Sequence, residues 1–455
     1  MKDAQLIYRK QVLFAASLED FHRAKKEFFA EVSAFAAEGD RKTAVQWATD
    51  MFIDAQSFLT EWKLDRWIDP EEKKDLISRC REVMEAYGTA ENLQMADAEV
   101  ADIGQCRLAE AARATLAGKL NIYWGHDKCD EIDFSLRRGA SFTTSNPGKI
   151  NDYRKSYPEE WSDLVAEAKA EYGDVDAVKL LSVLTMKVVA MMARHTAPIF
   201  EATDGQYGFS SIQVSPKNWD NAGAMEEEIC FWYEGMKKEL KTDTPNVTFK
   251  VPATPAAVVA ARNVSRKYAR IRLCATSNFT TRQHVEFYEA LKGRDPAGLL
   301  VIVDVHLRTY SKPEFEAIGV ADPDRYCELL VSMIYRKCYA LLRERGLNLQ
   351  LNGAGIRDAQ GVRNNFTTDM ALPVTFTIMP AVVKDFDANP KPLEDAMHDE
   401  ISEEDMAVLN RSRIFRQAYY QEEFPWDDIR SFPPYCLMMD KFEEAYDACI
   451  NVLGG

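Results

Sequence analysis

Between residues 120 and 378 the chain alternates short apolar or β-branched runs with long stretches of helical periodicity, a rhythm that few folds accept. The runs occupy 120–124, 141–143, 210–214, 247–251, 271–275, 299–303, 349–353 and 374–378. Helical patterns fill 176–199, 222–241, 254–268, 280–292 and 321–345 between them. Strands separated by helical crossovers imply a parallel sheet. Eight such units match the size and count of a (β/α)8 barrel. A doubly wound open sheet competes, but it would usually carry a Gly-rich phosphate loop after its first strand, and neither GxGxxG nor GxxxxGK[ST] occurs. The expected fold is therefore α/β, a (β/α)8 barrel over residues 116–390. A helical N-terminal extension (1–115) and C-terminal helices (391–455) flank it.

The N-terminal extension shows two aromatic-rich stripes at helical spacing, Phe14, Phe21, Phe28 and Phe35 in the first and Trp47, Met51, Phe58 and Trp62 in the second. Helix–helix packing explains them better than a cofactor does. The extensions would cap the barrel or mediate assembly into a homo-oligomer. With 56 Lys+Arg against 72 Asp+Glu, the net charge of −16 disfavours nucleic acid and anionic membranes as partners. No run approaches the ~18 apolar residues of a membrane span, and the N-terminus lacks the apolar core of a signal peptide. The nine cysteines form no CxxC pair and no Cys/His ligand set, and none of the six histidines belongs to HExxH. A cytoplasmic protein with reduced thiols and no metal is the expectation.

In a barrel of this kind the chemistry lies at the C-terminal strand ends. Lys250 follows Val247 and Phe249 and precedes Val251 in the fourth run. Burial among apolar side chains disfavours an ammonium and yields the neutral amine that attacks a ketone. The competing reading is a lysine snorkelling from a surface strand. The neighbouring strands favour the first. Strand one ends at Asp127, strand two runs into Thr144 and Asn146, strand three delivers Gln213, strand five Thr276, and strand six is followed by Arg308. One amine, one carboxylate, neutral hydrogen-bonding groups and an arginine suit a Schiff-base enzyme acting on sugar phosphates. Asp304 and His306 alternate along the sixth run, but no third partner at metal-ligand spacing accompanies them.

The segments SFTTSNPGKI (141–150), NVTFKVPAT (246–254), IRLCATSNFTTRQ (271–283) and IVDVHLR (302–308), in this order, resemble the transaldolase family and its fructose-6-phosphate aldolase relatives. The resemblance covers roughly residues 118–385, and FRQAYYQEEF (415–424) is like the tails of some bacterial members. It implies Lys250 as Schiff-base nucleophile and Asp127 as the acid/base, with Asp130 and Asp133 of the same loop as alternatives. It further implies Asn146 and Thr144 as holders of substrate hydroxyls, Thr276 as the residue placing the catalytic water, and Arg308 as the phosphate grip. Sugar phosphates would be the substrates, and no cofactor is implied.

Four positions depart from the family pattern. Gln213 stands where transaldolases usually have Glu, whereas the aldolase relatives carry Gln there. Cys274 replaces an Asn in the substrate-binding row, Val303 a Ser, and Val305 the aldolase Tyr. Lacking that Tyr, the chain is expected to transfer a three-carbon dihydroxyacetone unit between sugar phosphates. The alternatives are aldolase-like cleavage and an altered barrel serving as a protein-binding scaffold.

Overall fold

The computed structural model describes residues 2–62, 69–292, 299–346, 349–392, 394–397 and 400–454, without the side chains of residues 2–3 and 299–304. Eight parallel strands form its centre: β1 (Ile122–His126), β2 (Phe142–Thr144), β3 (Phe209–Gln213), β4 (Val247–Pro252), β5 (Arg272–Thr276), β6 (Leu299–Val303), β7 (Gln350–Ala354) and β8 (Val374–Ile378). Each pairs with the next, and β8 pairs back onto β1 over Ile122↔Val374 to His126↔Ile378. The sheet therefore curls until its edges meet, which leaves no unpaired edge. Every expected strand lies within about two residues of an observed one.

Local chemistry sets the crossovers. Thr254 caps the helix Pro255–Lys267 through its side-chain oxygen, with proline at the first helical position; Asp322 does the same for Pro323–Glu344. The long helix Ala177–Ala202 buries Leu180, Leu184, Val188 and Met192 and packs on β2 and β3 as well as on neighbouring helices. Residues of β4 alternate as a strand requires. The Phe249 ring lies 6.0 Å from that of Tyr233 on the helix Ala222–Leu240, so Phe249 faces the helix layer and Lys250 the interior.

One expected placement changes. His306 and Arg308 do not sit in or beside a strand: β6 passes at Asp304 straight into the helix Asp304–Ala317, so both are helical. The side chains of Val303 and Asp304 lie outside the described residues.

The apolar core divides in two. One part belongs to the barrel and its C-terminal helices; the other, from Val12 to Ile103, lies wholly within the N-terminal helices. A buried ion network joins them. Asp54, 2% exposed, accepts from Arg9 Nε at 2.6 Å and from Arg137 Nε at 2.7 Å. Arg9 also forks onto both oxygens of Asp133, which follows β1, at 2.8 Å. Burial alone would weaken the Arg9 charge, but Asp133 and Asp54 hold its pKa well above the ordinary value. Among the described residues no helix is long and apolar enough to cross a membrane.

Removing one member of such a network strands the others in a dry site. Asp54→Ala should destabilise the protein by about 3–5 kcal/mol in urea unfolding, because Arg9 and Arg137 lose their shared carboxylate. A loss below about 1 kcal/mol, the range of exposed pairs, would show that the network does not bind the two cores together.

Candidate active site

A cavity of about 430 Å³ opens at the C-terminal end of the strands. Asp127, Thr144, Asn146, Lys250, Cys274 and Thr276 all line it. The strand register explains the convergence. Lys250 pairs with Gln213 on one side and Cys274 on the other, while Thr276 lies two residues beyond Cys274 on the same face.

Lys250 is 6% exposed. Its Nζ donates to Thr144 Oγ1 and to the Ser145 carbonyl, each at 3.0 Å. Burial lowers its pKa, which enlarges the neutral fraction at any working pH; Asp127 is among the nearby groups that act in the opposite direction.

Asp127 stands just past β1, where its backbone N–H bonds the Ile378 carbonyl at 3.0 Å. His126 secures this loop. Its Nε2 faces the Asp130 carbonyl at 2.7 Å and must therefore donate, leaving Nδ1 to accept from Ser135 Oγ at 2.8 Å. Burial pushes His126 down to about 4, so it remains neutral and serves structure. Of the other carboxylates in the loop, Asp133 is engaged by Arg9 and His195, and Asp130 by Lys128 and Tyr157. Neither lines the cavity.

Asn146 caps the helix Pro147–Ser156. Its Oδ1 accepts from the Lys149 N–H at 3.0 Å, which leaves the amide N–H₂ end as its donor. Cys274 is 1% exposed, and burial pushes its thiol up to about 12, so it forms a neutral wall rather than a reactive thiolate.

Two expected residues are not on this cavity. Gln213 lies behind it and borders a much smaller space. Arg308, expected as the phosphate grip, donates from Nη1 to the Glu328 carboxylate on the neighbouring helix. The immediate start of the helix at Asp304 carries Arg308 more than one turn away from the strand end.

Cations do reach the mouth, from positions not singled out in the sequence. Arg357 follows β7, past a turn whose Gly355 has φ +74°, and Lys441 comes from the C-terminal helix Pro433–Leu453. The strand-end rule already applied to strands one to six would have found Arg357. Nothing local marks Lys441. His306 also lines the cavity. Burial, together with the charges of Lys441 and Arg357, pushes it down to about 4.

A family model described as Transaldolase/Fructose-6-phosphate aldolase matches residues 129–432. A transaldolase of Thiobacillus denitrificans is 28% identical over 123 residues, 27% of this chain and 32% of its own length. Transaldolase 2 of Streptomyces avermitilis is 30% identical over 161 residues, 34% of this chain and 38% of its own length. The chain thus spans about a third of the length of these curated relatives. The family match begins just beyond Asp127, whose place at the cavity stands on geometry.

The buried amine should be measurably more nucleophilic than surface lysines. Trace labelling with acetic anhydride, read by peptide mass spectrometry from pH 7 to 11, should give Lys250 a midpoint below the usual ~10.4 of lysine. A Lys250 midpoint that coincides with those of exposed lysines would refute the desolvation account.

Proposed function

The chain belongs to the transaldolase/fructose-6-phosphate aldolase family, and from that premise we propose that its barrel, a (β/α)8 barrel of the class I aldolase type, transfers a three-carbon unit between sugar phosphates through a Schiff base on Lys250. The observation that carries this reading is the buried Lys250 amine at the floor of a 430 Å³ cavity with Asp127, Asn146 and Thr276 around it.

In the proposed reaction the neutral amine adds to the C2 carbonyl of a ketose phosphate and water leaves, forming an iminium. Asp127 takes the C4 hydroxyl proton as the C3–C4 bond breaks. The bond's electrons pass to the iminium nitrogen, an aldose phosphate departs, and an enamine stays on Lys250. The enamine carbon then attacks the aldehyde of an acceptor, Asp127 returns its proton to the new alkoxide, and water releases the longer ketose. Thr276 places that water, and Thr144 and the Asn146 amide hold substrate hydroxyls. Arg357 and Lys441 replace Arg308 as the phosphate grip, since both stand at the cavity mouth and Arg308 does not.

Transfer is favoured over release because the tyrosine of the aldolase relatives has no counterpart among the described lining residues. Val305 lines the cavity at the position where aldolase relatives carry a Tyr, no tyrosine is among the described lining residues, and His306 is held neutral. With fructose 6-phosphate as donor, glyceraldehyde 3-phosphate should accumulate only when an acceptor such as erythrose 4-phosphate is present, and Lys250→Ala should abolish it. Sustained acceptor-independent release with free dihydroxyacetone would assign the aldolase reaction instead.

The phosphate grip has its own test. Arg357→Ala should raise KM for a phosphorylated donor by about 10–100-fold, the loss of a charge-assisted hydrogen bond, without a comparable change for free fructose. Arg308→Ala should leave that KM nearly unchanged. The reverse pattern would return the role to Arg308.

A further inference from the structure

Behind the polar wall that holds the Lys250 amine lies a second cavity of about 20 Å³, enough for one water. Asn146 borders both spaces, and the polar lining of the smaller one includes Gln213, Ser215, Glu228 and Tyr446 beside Ser145, Ser182 and Thr185. Gln213 is 4% exposed, and its buried Oε1 has no hydrogen-bond partner among the described residues. A buried acceptor left unpaired is costly, so this one calls for a donor. A water in the adjoining space would supply it.

Glu228 reaches this space from the helix Ala222–Leu240. Its Oε2 accepts from the Ser215 N–H at 2.8 Å and from Asn218 Nδ2 at 3.2 Å, which fixes the carboxyl. Desolvation pushes it up to about 7, against the opposing pull of those two donors and of Lys179. The other titratable groups among the described residues lining this space are Tyr446 and Cys449 of the C-terminal helix. Burial raises both, Tyr446 to about 12.

We propose that Glu228 is a positioning residue for this site, one that holds the Gln213 amide through a single water and so fixes the polar wall beside the Lys250 amine. Ionised Glu228 accepts one hydrogen of that water, whose other hydrogen goes to Gln213 Oε1, so the water is locked at both ends. Protonated Glu228 donates to the water and frees it to turn. Gln213 stands opposite Lys250 in the β3–β4 register, so the order of its amide reaches the strand that carries the nucleophile. The proposal rests on the Schiff-base reading.

The test is the pH dependence, from 6 to 9, of kcat for acceptor-dependent aldehyde release from fructose 6-phosphate. Wild-type kcat should rise through a limb near 7 as Glu228 ionises. Glu228→Gln, which keeps the size of the side chain, should lose that limb and fall about tenfold at pH 8 with little change in KM, the mark of a defect in the chemical step. Gln213→Met should lose the same limb, and the double variant should be no worse than either single one, because both act through one contact. A limb retained in Glu228→Gln, or additive losses in the double variant, would overturn the proposal. A wild-type protein that releases no aldehyde with any phosphorylated ketose removes the Schiff-base reading itself, and this proposal with it.

Discussion

Everything the site can do depends on keeping one amine dry. Lys250 sits on a strand that is buried throughout, and among the described residues its Nζ donates to a threonine hydroxyl and a backbone carbonyl, each at 3.0 Å. Both partners can accept from an ammonium or a neutral amine, so they orient the nitrogen without demanding its charge. An ion pair in their place would hold the lysine protonated and inert toward a carbonyl. The neutral Cys274 thiol on the adjacent strand serves the same end, closing the wall without adding a charge.

Asp127, the proposed acid/base, is held from farther away. The loop carrying Asp127 is tied by His126 to the Asp130 carbonyl, and Asp133, in the short helix Ile132–Leu136 that follows, is gripped by Arg9 of the N-terminal helices. The separate N-terminal core is thus coupled through charged contacts to the segment that presents Asp127. A network of buried ions costs desolvation, and what it supplies in return is a fixed geometry. That ties the N-terminal helices to the segment before the site, although none of their described residues lines the cavity around Lys250.

Much of this was legible in the residues. Strand–helix alternation located all eight strands because a buried parallel strand has a short, β-branched run that a helix cannot imitate over the same length. Lys250, Asp127, Thr144, Asn146 and Thr276 could be grouped because strand ends converge in a barrel, and the family resemblance added Cys274. Arg308 failed for a reason of the same kind. A strand-end rule assumes an intervening loop, and here a helix begins at once and turns the guanidinium toward Glu328. Lys441 was out of reach, since only tertiary packing brings the C-terminal helix over the strand ends. The neutrality of His306 depends on that same packing, because Lys441 and Arg357 come to it from distant parts of the chain.

The central claim is covalent bonding between Lys250 and a ketose phosphate. The most direct measurement is the intact mass of the protein after borohydride reduction in the presence of fructose 6-phosphate, with peptide mapping of any adduct. The account predicts a gain equal to one reduced three-carbon unit, located on Lys250 and absent from Lys250→Met. An adduct on another lysine, or no adduct while wild-type protein still turns over the sugar phosphate, would contradict it.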